Sequence, residues 1–104
     1  MSALIWSPFA NRDEAEKAAR KLLEEGLIGC ANFMDGVESM FLWDNEIATA
    51  RECGLLLKTN ARLLKSATSR LEELHPYETP AILGWNCDEA GAATHGWLGA
   101  LSKG

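Results

Sequence analysis

His75-Pro76-Tyr77-Glu78-Thr79-Pro80 is the stretch on which the reading of the fold depends. It separates a helical apolar pattern upstream from a short apolar run, Ala81-Ile82-Leu83-Gly84-Trp85, downstream. Each proline fixes its own φ and disfavours helical geometry in the residue before it, so His75 and Thr79 are driven towards extended backbone. The segment therefore ends a helix and feeds a strand. It also gathers one of the two histidines, two of the three prolines and the only tyrosine. Two roles fit such a rigid piece: a mount for an imidazole, a phenol and a carboxylate, or a tight corner.

Working back from it, Asn60 is placed to cap a helix that carries Leu63, Leu64, Ala67, Leu71 and Leu74 on one face. Before that lies a long pair of extended runs. Leu27 to Phe33 has the character of a strand buried on both faces. Asp35-Gly36 marks a bend or bulge, and Val37 to Trp43 resumes the strand. Asp44-Asn45 signals a hairpin turn, with a return strand from about Ile47 to Thr59. The hairpin is too long for a chain of this size to cover, and its tip is apolar and aromatic. That predicts cover from another subunit.

At the start of the chain, Leu4 to Ser7 reads as a first strand stopped by Pro8. Asn11 with Glu14 resembles a capping box, followed by Ala15, Ala18, Ala19, Leu22 and Leu23 at helical spacing and by Gly26 as the terminator. After the strand at 81–85, residues Ala92 to Leu101 form a weaker helix containing Gly96 and Gly99. The order is β-α-β-β-α-β plus a terminal helix. The predicted class is α+β, a ferredoxin-like antiparallel sheet with two helices on one face, a long β2–β3 hairpin and an extra C-terminal helix, in one domain over 1–104.

Composition narrows the function. With 104 residues, 47% hydrophobic and 24% charged, the chain can bury a core without needing a metal or disulfides. A net charge of −5 lacks the basic stripe that nucleic acid requires. No apolar run reaches the roughly 20 residues of a membrane helix. The first residues lack a signal-peptide pattern, so a cytoplasmic location is expected. Cys30, Cys53 and Cys87 are widely spaced and form no CxxC, which suits reduced, packed thiols.

Several stretches resemble the CutA family of divalent-cation-tolerance proteins. They are Ala15-Glu16-Lys17 through Leu27-Ile28-Gly29-Cys30-Ala31-Asn32, then Gly36 to Trp43, Glu52 to Thr59, Leu74 to Pro80, and Trp97-Leu98. The resemblance implies a homotrimer, related in architecture to PII signalling proteins, with long hairpins packed between subunits. It also implies a role in tolerance of copper and other divalent ions, without an established enzymatic activity. Copper-binding members carry a cysteine in the first strand and a His-His pair before Pro-Tyr. Here those places hold Trp6-Ser7 and Leu74-His75, leaving one of the three ligands.

Candidate chemistry follows from these residues. His75 is either a ligand or a histidine hydrogen-bonded at a helix end. A copper ion needs two or more soft or imidazole ligands, and Cys30 and Glu52 are the partners that central strands could bring to it. Tyr77 and Glu78 are candidates for a cleft between subunits, as inter-subunit hydrogen-bonding groups or, less simply, as an acid–base pair. Lys58, before the second helix, is a candidate anion contact. Trp6, Trp43, Trp85 and Trp97 read as core or interface anchors. No catalytic residue is assigned. The leading expectation is a metal or small-ligand site at subunit clefts; the alternative is a PII-like signalling or scaffold module with no physiological metal site.

Overall fold

The structure, a computed structural model, describes residues 1–102. Its elements are β1 (Ser2–Phe9), α1 (Arg12–Glu24), β2 (Cys30–Trp43), β3 (Glu46–Asn60), α2 (Ala61–Leu74), β4 (Leu83–Asn86) and α3 (Ala92–Gly99). The four strands form one antiparallel sheet in the order β2-β3-β1-β4. This is the expected α+β arrangement, with β1 and β3 central and β2 and β4 at the edges.

Alternation along β1 and β3 sets the core. Ile5, Phe9, Leu55 and Leu57 point to the helical side, where they meet Ala15, Ala18, Ala19 and Leu22 of α1 and Leu63, Ala67 and Leu71 of α2. The alanines of α1 let its axis approach the sheet closely. Both helices are capped as the sequence indicates: the Asn11 side chain accepts from Glu14 N–H and the Asn60 side chain from Leu63 N–H. Gly26 takes φ 72° just after α1. Arg70 then grips Glu25 through two 2.9 Å hydrogen bonds, tying α2 to the end of α1.

Several expected boundaries move. β1 runs through Pro8 instead of stopping before it. Pairing with β4 ends at Trp6, and the Pro8 carbonyl turns away from β3 towards His75. The proline nitrogen faces that same open side, so no ladder bond is lost. Leu27 to Gly29 is not strand: Leu27 N–H closes onto Leu22 and Gly29 N–H onto Lys58. Nor is β2 buried on both faces. It is an edge strand, with Phe33 half-buried and Met34 exposed. β4 begins at Leu83, two residues late, and α3 ends at Gly99.

The hairpin is as long as expected. Asp44 and Asn45 both take positive φ, 53° and 64°, as a tight primed turn demands. A bulge between Met34 and Val37, with Gly36 at φ 72°, interrupts the β2–β3 ladder. Beyond it the hairpin leaves the body as an arm and stretches the molecule to 44 × 26 × 22 Å. Arg12 fastens the root of the arm, bonding Asp35 and Glu16 at 2.9 Å each and lying over the Phe33 ring. On the sheet face away from the helices, Leu4, Trp6, Leu56, Leu83 and Trp85 are left partly or largely open.

Candidate functional site

The 75–80 corner is built on the end of β1 that β4 leaves unpaired. Pro76 stops α2, so His75 becomes its C-cap with φ −74° and ψ 130°, still donating its backbone N–H to Leu71. That geometry swings the imidazole inward, to 7% exposure, flat against Phe9 with ring centroids 3.9 Å apart. Nε2 lies 3.0 Å from the Pro8 carbonyl, and Nδ1 receives Tyr77 N–H at 3.2 Å. A carbonyl can only accept and a backbone amide only donate, so the ring is the neutral Nε2–H tautomer. Burial holds its pKa below the ordinary histidine value, against the opposing pull of the Pro8 carbonyl and the Glu14 and Glu52 carboxylates. Farther along, Ser7 Oγ donates to the Ala81 carbonyl at 2.7 Å and closes the corner.

Tyr77 extends from this platform to the root of the hairpin, where its hydroxyl donates to Glu52 Oε2 at 2.6 Å. Burial, then this bond to a carboxylate, push the phenol pKa far above its usual value. The phenol therefore stays protonated and is no general base near neutral pH. Glu52 keeps Oε1 without a hydrogen bond among the described residues. Glu78 is exposed at the outer edge of the corner. The local chemistry is one carboxylate bonded to a neutral phenol, beside a neutral imidazole.

The candidate residues fall into two groups within the subunit. His75, Tyr77 and Glu52 come together. Cys30 pairs with Lys58 in the ladder, and Lys58 is six residues along β3 from Glu52, about 20 Å at strand spacing. Cys30 therefore does not join His75 and Glu52. Both nitrogens of His75 are already engaged, one as donor and one as acceptor, so its ring offers no free lone pair to a metal. Among the described residues no cluster of three His, Cys, Asp or Glu side chains is placed to hold a metal ion. The His75, Cys30 and Glu52 set does not fit copper inside one subunit.

A family model described as CutA1 divalent ion tolerance protein matches residues 3–100. The chain belongs to the CutA1 family. It is similar to the divalent-cation tolerance protein CutA of Pyrococcus horikoshii, 34% identical over 95 residues that cover 91% of this chain and 92% of the relative. To the CutA of Thermotoga maritima it is 36% identical, covering 91% and 93%. The crystal structure of CutA from Xylella fastidiosa superposes with a TM-score of 0.90 at 32% identity, over 94% of each chain. The CutA1 resemblance read from the sequence is thus sound, and so is the fold it implied.

Three partners of the corner stand apart from it in the sequence. Phe9 stacks on the imidazole, the Pro8 carbonyl accepts its Nε2–H, and Ser7 donates to the carbonyl of Ala81. The sequence signal was present but weak: a proline and an aromatic at the end of β1, just past the reach of a short β4. The Tyr77–Glu52 bond carries no local signal, because it joins residues 25 positions apart.

Proposed function

We propose that this CutA1 chain works as a homotrimeric divalent-cation-tolerance protein whose ligand sites lie between copies, at the root of the hairpin arm. The carrying observation is the bare arm. Met40 and Ile47 are each 75% exposed, Leu42 70% and Trp43 60%, on a hairpin that leaves its own core. Apolar surface of this kind is covered by association in soluble proteins, and the family resemblance supplies the number three. A neighbouring copy laid along the arm would pass beside Glu52, Tyr77 and Glu78. The free Oε1 of Glu52 is then a carboxylate oxygen available to a divalent cation, with the remaining ligands supplied across the boundary.

Light scattering combined with metal titration of the sized oligomer tests this. Saturable binding of copper or another divalent ion, weakened in Glu52→Gln and retained in Cys30→Ser, is the expected result. A stable monomer, or titration without saturation, would sink it.

One observation favours a second reading. The closed hydrogen-bonding of His75 gives a structural account of the corner with no metal in it, as a PII-like module with a small-molecule effector would have. A metabolite that raises the melting temperature of the oligomer where divalent ions do not would establish that reading.

A further inference from the structure

The hold on α3 differs from that on the other two helices. Asn11 and Asn60 cap α1 and α2 with side-chain hydrogen bonds, whereas Gly91 gives α3 none. Gly96 and Gly99 lie within α3 at ordinary φ, with open space within the subunit where a side chain would stand, so no packing inside the subunit demands glycine there. Each lowers helix propensity. Leu98 is the one buried residue of the helix.

What holds α3 is its C-terminal end. Asn60 Nδ2 donates to the Leu98 carbonyl at 2.7 Å, and Arg62 donates to the Leu101 carbonyl at 2.6 Å. Both side chains belong to the start of α2. Leu98, Leu101 and Trp97 close on Gly29, where an added Cβ would meet them at 3.0, 3.1 and 3.3 Å. Ser2 is the register partner of Asn60, and its side chain leaves on the same face. The Ser2 hydroxyl is buried there with no hydrogen-bond partner. An orphaned hydroxyl opposes closure, because water would satisfy it on opening.

We propose that α3 is a releasable strap. It lifts from the Ser2, Gly29 and Asn60 end of the sheet while the rest of the chain stays folded, and Asn60 and Arg62 set how often it does so. Lifting uncovers a polar notch made of the Ser2 hydroxyl and the Asn60 Nδ2, beside Gly29, whose own N–H stays bonded to the Lys58 carbonyl. The notch continues along the same sheet face to Lys58, two residues before Asn60 in β3.

Hydrogen exchange on the intact oligomer, read by mass spectrometry over residues 92–101 and over α2, decides the matter. In the unmodified protein the α3 amides should exchange at least about tenfold faster than those of α2. Arg62→Met should speed α3 exchange and leave α2 unchanged. Gly96→Ala with Gly99→Ala should slow it by about fivefold per glycine, and Ser2→Ala should slow it further. Common rates for α3 and α2, or an α3 rate that ignores these substitutions, would overturn the proposal. If Arg62→Met fails to fold, the alanine variants still separate the two outcomes, since they act in the stabilising direction.

Discussion

At the scale of single residues, the corner owes its shape to one histidine with no spare hydrogen-bonding capacity. Protonating His75 would place an Nδ1–H against the Tyr77 N–H, two donors face to face. Its folded pKa lies below the ordinary 6.5 of an unfolded chain. Between those two values the unfolded state binds more protons, so stability rises with pH there and falls as the solution is acidified below about 6.5. Thermal melting from pH 7 to pH 5 should show this loss, and His75→Gln should flatten it. The Tyr77–Glu52 bond is the second residue-scale feature. Tyr77→Phe removes a hydrogen bond to a charged acceptor and should cost about 1–2 kcal/mol, measured by melting at fixed protein concentration. A gentler effect is expected from Glu52→Gln, because the amide oxygen still accepts from the phenol.

At the scale of elements, packing across the sheet explains two positions that look unremarkable in the sequence. Gly54 lies under Trp6: a Cβ there would stand 2.4 Å from the indole Cη2 and 2.8 Å from Cζ3. Gly54→Ala should therefore destabilise by roughly 1–3 kcal/mol, and Trp6→Leu in the same chain should recover part of the loss. Chemical denaturation of the single and double variants measures both. Asn60 serves two elements at once, its Oδ1 accepting from Leu63 N–H and its Nδ2 donating to Leu98. Asn60→Ala should cost about 1 kcal/mol through the lost cap alone. Asn60→Asp keeps the acceptor and removes the donor, so it should spare α2 and loosen α3 in hydrogen exchange. The cap at Asn60 was legible in the sequence; its second hydrogen bond was not, because the partner lies 38 residues away.

At the scale of the whole molecule, the arm and the open sheet face dominate. None of the four tryptophans is fully buried: Trp43, Trp85 and Trp97 are exposed and Trp6 is partly so. Of the two roles expected for them, the core is excluded and the interface is consistent with the proposed oligomer. Charges placed on the arm test this directly. Leu42→Lys with Trp43→Glu should leave the single chain folded, since both side chains are exposed there, and should shift light scattering to a smaller species. An unchanged mass would show that the arm is not part of the interface.

Local pattern was enough to determine the elements and their order. Apolar periodicity marks the two main helices, asparagines mark their caps, and Asp44-Asn45 marks the turn, all through interactions reaching only a few residues. Even the 75–80 corner could be located that way, since proline acts on itself and on its immediate neighbour. Its inner structure came only with the tertiary fold. Which ring His75 stacks on, which carboxylate accepts from the Tyr77 hydroxyl, and why Cys30 stands apart all depend on strand register and on where β4 stops. Those are set by the packing of the whole sheet. The hexapeptide specifies a bend, and β1 and β3 decide what the bend holds.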